Sequence, residues 1–207
     1  MAQVAHVLVA PERLARWVDN FSSRHGAAAL SSAGGRLSGL AGDGSAFTAR
    51  LPFAGEYAGA ADVAAFAAAA AAAVPTAWGV LLVRKGGFAV ARLDRHRIVE
   101  SKVGRRHVQG RTKAGGQSQQ RFARRRDNQA RQAYEAAADH AARILAGLRG
   151  PVVTGGDRTA VDEVLADPRL RSLAVTGPWL AVPDPRRGVL EQAAREACAA
   201  AIEVENA

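Results

Sequence analysis

The sequence predicts an α/β fold of the α+β kind, a mixed β-sheet with an antiparallel meander, flanking helices and one long helix behind a glycine-rich loop. Three observations carry this. Residues 78–103 read as three strands joined by tight turns. Residues 118–148 place apolar side chains at helical spacing for about eight turns. After Gly150 the chain alternates strand, helix, strand and helix.

The elements follow in order. Residues 3–9 alternate loosely and read as a strand. Pro11 opens a helix over 11–26, with Leu14, Trp17, Val18 and Phe21 on one face and Gly26 as its stop. Residues 36–51 read as a hairpin around Gly42, Asp43 and Gly44. The alanine-rich segment 60–74 predicts a helix with Asp62 near its start. Pro75 divides the chain. Residues 1–75 form a small α+β region of βαββα pattern with no recognised site, and 76–207 form the second region.

In the second region, strands are expected at 78–84, 88–93 and 97–103. Turns at Lys85-Gly86-Gly87 and Asp94-Arg95-His96 fold them into a meander. A loop at 104–117 precedes the long helix. That helix is marked by Phe122, Ala130, Ala133, Tyr134, Ala137, Ala141, Ile144, Leu145 and Leu148, and Gly150-Pro151 ends it. Then "PVVTGG" reads as a buried strand and "DRTAVDEVLAD" as a helix. "LRSLAVTGPWLAV" reads as another strand and "RRGVLEQAAREACAAAIEV" as a closing helix.

The 207 residues suffice for one large domain or two small ones. One cysteine, Cys198, excludes an internal disulfide and a thiolate-cluster metal site. The start of the chain lacks the basic segment of a signal peptide, and its longest apolar run is too short to span a bilayer. A cytoplasmic protein is expected. Charge is more informative. Of 28 basic residues, nine lie in 102–126, a window without one acid. The remaining nineteen face nineteen acidic residues, so the whole net charge of +9 sits in about an eighth of the chain. A neutral protein with one cationic segment is built to meet an anion.

Most conventional chemistry finds no support. His6, His25, His96, His107 and His140 show no metal-ligand spacing, and no metal or cofactor is expected. No serine sits in a nucleophile elbow, and Cys198 reads as a buried residue of an amphipathic helix. The strand–GG–helix junction "VVTGGDRT" could cradle a phosphate but lacks the Lys-Ser/Thr of a P-loop. Asp157, Asp162, Glu163 and Asp167 read as solvated helix charges.

The stretch "GRTKAGGQSQQRFARRRDNQ", residues 110–129, stands apart. Gly115 and Gly116 lack side chains and can adopt backbone angles closed to other residues, so a loop tip can enter a narrow site. Gln117 carries an amide that does not titrate near neutrality and that donates and accepts hydrogen bonds at once. It is suited to placing a water rather than ionising it. Lys102, Arg105, Arg106, Arg111, Lys113, Arg121, Arg124, Arg125 and Arg126 surround it with phosphate-binding charge.

This GGQ, set between a three-stranded meander and a long basic-to-amphipathic helix, resembles the catalytic middle domain of eukaryotic and archaeal peptide-chain release factors. The resemblance runs from about 77 to 204 through "GPVVTGGDRTAVDEVLADPRL" and "RRGVLEQAAREA". It is nearest to the Vms-type release-factor-like branch of ribosome quality control, above all its actinobacterial members, regarded as peptidyl-tRNA hydrolases. The resemblance implies hydrolysis of the ester joining a nascent peptide to tRNA on the large ribosomal subunit. Gly115 and Gly116 would let the loop enter and Gln117 would orient the attacking water. The cations would grip rRNA and tRNA phosphates. Residues 1–75 contain no stop-codon-reading motif, so codon-independent rescue of stalled large subunits is expected, by a monomer without membrane or metal. Two alternatives stay open: a tRNA endonuclease cutting near the 3′ CCA end, and a non-catalytic ribosome- or rRNA-binding module.

Overall fold

The computed structural model describes residues 4–105 and 117–207, and it describes the backbone alone for 117–129. The chain forms two compact units. One comprises Met1–Pro75, Thr176–Pro178 and Ala194–Ala207; the other comprises Thr76–Val175 and Trp179–Ala193. The architecture is α+β with two five-stranded sheets, as the sequence pattern predicts in class.

The first unit is built on an antiparallel sheet. Its strands are β1 (Val4–Val9), β2 (Ala29–Ala33), β3 (Arg36–Leu40), β4 (Ala46–Arg50) and, from the end of the chain, β10 (Ala200–Glu205). Their order across the sheet is β1-β10-β4-β3-β2. A 3₁₀ turn at Pro11–Arg13 leads into α1 (Leu14–His25), whose Leu14, Val18 and Phe21 recur at i, i+4 and i+7 and are buried. Helix α2 (Val63–Ala72) begins where the Asp62 side chain accepts the Ala65 N–H at 2.7 Å. Phe66 and Ala70 of α2 join Leu37, Phe47, Ala49 and Ile202 in one core. Trp17 and Phe21 meet Phe47 edge-on, with centroids 5.2 Å apart in each pair.

Two elements differ from the sequence expectation. Strand β2 has no counterpart in the sequence reading: its five residues, Ala-Leu-Ser-Ser-Ala, carry no β-branched side chain and, among the described residues, pair with β3 alone. The expected closing helix ends at Ala197, and residues Ala200–Glu205 are a strand flanked by β1 and β4. Ala-Ala-Ile-Glu-Val-Glu has good helical propensity, but pairing on both sides and burial of Ala200 and Ile202 outweigh it. The sequence reading divides the chain once, at Pro75; residues 194–207 lie with the first unit.

The second unit holds the meander. Strands β5 (Ala77–Arg84), β6 (Gly87–Asp94) and β7 (Arg97–Arg105) pair antiparallel through two-residue turns. The long helix α3 (Gln117–Ile144) follows. The chain then returns as β8 (Pro151–Gly156), parallel to β5, and continues through α4 (Arg158–Leu165), β9 (Ala174–Leu180) and α5 (Arg187–Ala197). The strand order is β7-β6-β5-β8-β9. Tyr134, Ala137, Ala141 and Ile144 of α3 and Val161 and Val164 of α4 pack on Leu81, Val83, Phe88 and Val90. The opposite face of the strands, with Trp78, Val80, Leu82 and Leu93, is also buried, which accounts for their near-continuous apolar run.

Two glycine positions explain how closely these layers approach. A Cβ on Gly79 would lie 2.7 Å from Leu145 Cδ2, so the absence of a side chain seats the end of the long helix on β5. A Cβ on Gly155 would strike the Leu180 carbonyl oxygen and lie 2.8 Å from Leu180 Cβ. Contact with β9 therefore accounts for the glycine of "VVTGG" without a phosphate.

Candidate functional site

Strand β7 ends at Arg105 and α3 begins at Gln117, so the eleven residues 106–116 join one element of the second unit to another. Gly115, Gly116, Arg106, Arg111 and Lys113, and the predicted loop tip as a whole, lie outside the described residues. Gln117 is the first residue of α3. Its backbone N–H is therefore one of the four at a helix start that have no intrahelical acceptor, and the helix dipole favours negative charge there.

Helix α3 has 28 residues, about 42 Å of rise. Its described packing begins at Ala130 and deepens at Ala133 and Tyr134. Several polar contacts fix its C-terminal half. Arg143 Nη1 donates to Glu100 Oε1 on β7, and Arg92 Nη1 donates to the Ala146 carbonyl at 3.0 Å. The His140 ring stacks on Phe88 with centroids 5.6 Å apart. Asp139 accepts from Arg169 Nη2 at 2.7 Å, and the same guanidinium reaches Asp167. Burial raises the Tyr134 phenol above its ordinary value, with Asp157 and Glu163 adding to the shift. These contacts hold the long helix at its base, which is a requirement for presenting a residue at its other end.

Of the nine predicted cations, Lys102 and Arg105 are the two whose side chains are described. Both are exposed on β7. Being three residues apart in a strand, they point to opposite faces of the sheet. On α3, Gln117, Arg121 and Arg124 stand at i, i+4 and i+7, a single stripe by helical register. Arg126 stands seven residues before Ala133, on the stripe that becomes the packed face, and Arg125 falls beside the first stripe. The side chains of these four arginines and of Gln117 lie outside the described part.

The other candidates resolve into structural roles. His25 Nδ1 lies 2.9 Å from Asp43 Oδ2. Asp157 caps α4 by accepting the Ala160 N–H, and Asp167 accepts from Arg169. Cys198 is buried just past the end of α5 rather than on it, and burial pushes its thiol up to about 11. Among the described residues no three of His, Cys, Asp and Glu group closely enough to hold a metal ion. No described helix is long and apolar enough to cross a membrane. The Glu100–Arg143 and Arg187–Ser101 contacts, which tie α3 and α5 to β7, were not anticipated. Their partners are 43 and 86 residues apart, and no local pattern marks them.

An antiparallel meander, a long helix and a parallel strand–helix return define a release-factor-like α/β domain. The family described as Actinobacteria/chloroflexi VLRF1 release factor matches residues 76–203, and the chain belongs to that family. Membership gives the protein a role in translation. No curated protein matches the chain.

Proposed function

We propose that this protein hydrolyses the ester between a nascent peptide and its tRNA on stalled large ribosomal subunits, without reading a codon. The observation that carries the reading is Gln117 at the first turn of a 28-residue helix, directly after two glycines, in a chain of a release-factor family. The glycines let the tip enter a narrow centre. The Gln117 amide accepts from the attacking water and donates to a neighbouring acceptor, which fixes the water over the ester carbon. Its N–H, unused within the helix, stabilises the developing oxyanion. Placement of this kind removes about 7–11 kcal/mol of barrier in favourable systems.

Arg121 and Arg124 share the Gln117 stripe and would bind phosphates beside it, while Lys102, Arg105, Arg106, Arg111, Lys113, Arg125 and Arg126 spread charge around the tip. Such contacts set position rather than sequence preference. The reaction belongs in the cytoplasm, on rRNA and peptidyl-tRNA, with the protein acting as a monomer and residues 76–207 as its catalytic region.

The test is to incubate the protein with stalled large-subunit complexes and analyse both products. Free peptide with an intact CCA end on the tRNA supports the proposal. A shortened tRNA indicates phosphodiester cleavage instead, and binding without either product indicates a non-catalytic module.

A further inference from the structure

The first unit contains a cavity that the proposed reaction does not use. Its volume is about 350 Å³, and the described residues lining it, including Gly177 and Pro178 of the Thr176–Pro178 segment, belong to this unit. Arg36, Arg50 and Glu56 supply its charge. The β3–β4 register ends at Leu37↔Ala49, and Arg36 and Arg50 are the next residue of each strand beyond that end. The Ser38 and Thr48 hydroxyls, 3.4 Å apart, lie two residues further along each strand, so Arg36 and Arg50 stand on their face of the sheet.

Arg36 Nε donates to the Gly34 carbonyl at 3.4 Å, and among the described residues neither arginine lies within ion-pair distance of a carboxylate. The backbone beside them is strained. Phe53 and Ala54, both lining the cavity, are consecutive residues in the left-handed region at φ 55° and 56°. Side chains rarely adopt it, and such strain collects at ligand sites. Two arginines outside any described ion pair and a strained turn thus line one concave space of a size that holds small ligands.

We propose that this cavity binds a nucleotide unit, with Arg36 and Arg50 holding its phosphate and Glu56 accepting from an amino group of its base. Guanidinium pairs match phosphate oxygens in charge and geometry. A bare phosphate would fill a small part of the space and leave the Glu56 carboxylate opposing it. A base that carries an exocyclic amine gives that carboxylate a donor. The unit can come from a free mononucleotide or from the end of an RNA strand. Neither source involves Gln117, so the proposal is independent of the hydrolytic reading.

The experiment uses the full chain and measures binding of 5′-CMP, 5′-UMP, inorganic phosphate and a 5′-phosphorylated RNA trinucleotide. CMP is expected to bind at least tenfold tighter than UMP or phosphate. R36A and R50A are each expected to weaken CMP by about ten- to hundredfold. R50A serves as the folded control, because Arg50 is exposed and its thermal midpoint should not fall. E56A should bring CMP and UMP together. CMP binding with no competition by the trinucleotide assigns the site to free nucleotides, and competition that R50A abolishes assigns it to RNA ends. The proposal is overturned if CMP fails to bind at millimolar concentration or binds no better than phosphate. It is equally overturned if binding is indifferent to R36A and R50A, or if E56A leaves the CMP-to-UMP ratio unchanged.

Discussion

Gly79→Ala tests the seat of the long helix. A Cβ there would lie 2.7 Å from Leu145 Cδ2, 3.2 Å from Leu148 Cδ2 and 3.4 Å from the Ala91 carbonyl oxygen. Ordinary carbon contacts are about 3.5–4.0 Å, so the first must open by about 1 Å. Leu145 is only 2% exposed, so the methyl has little room to swing aside. Overpacking of this degree costs about 1–3 kcal/mol. Replacing a strand glycine returns about 0.4–1 kcal/mol through the unfolded chain, so the net loss is about 1–2 kcal/mol. For a unit of this size that lowers the thermal midpoint by roughly 3–8 °C. The discriminating assay is a double-mutant cycle by urea unfolding. Leu145→Ala alone costs about 2–5 kcal/mol through its cavity. Adding Gly79→Ala to it should cost almost nothing, because the colliding methyl is gone. Coupling of about 1–2 kcal/mol is the expected result; additivity within about 0.5 kcal/mol would refute the steric reasoning.

Gly155→Ala should destabilise the protein by about 3 kcal/mol, because its methyl meets the Leu180 carbonyl rather than a flexible side-chain tip; an unchanged thermal midpoint would contradict the packing explanation for this glycine. The Asp167 carboxyl is lowered to about 2, first by the Arg169 side chain and then by the Arg169 N–H. Its contribution to stability is therefore present above about pH 4 and is lost as pH falls toward 2. Asp167→Asn should flatten the loss of thermal midpoint in that window, as measured by scanning calorimetry between pH 5 and 2.5. Cys198, pushed up to about 11 by burial, should react with a thiol reagent at pH 8 only after unfolding. Rapid labelling of the native protein would show that the thiol is accessible.

Local signals account for what the sequence revealed. The two-residue turns at Lys85-Gly86 and Arg95-His96 and the apolar run around them made β5, β6 and β7 legible. The spacing of Ala130, Ala133, Tyr134, Ala137, Ala141 and Ile144 did the same for α3. Strand β10 was illegible because alanine-rich sequence favours helix, whereas its state is set by β1 and β4, more than 150 residues earlier. Strand β2 was missed because small polar residues at an edge carry no periodic signal. At the site, the charge window and the GGQ were readable as composition and motif. The clamps at the helix base were not, since Glu100 and Arg143 meet only after the sheet and helix have packed. Nor could composition show that Arg36 and Arg50 line one cavity, which depends on how β3 and β4 pair.

If the Gln117 amide places the water that releases the peptide, Gln117→Ala must slow release without weakening attachment to the subunit. The decisive measurement is the single-turnover rate of peptide release from stalled large subunits by Gln117→Ala, with subunit binding measured in parallel. Binding within about threefold of the parent and release slowed by about a hundredfold or more is the predicted result. Release at the parent rate by a variant that binds normally would contradict it.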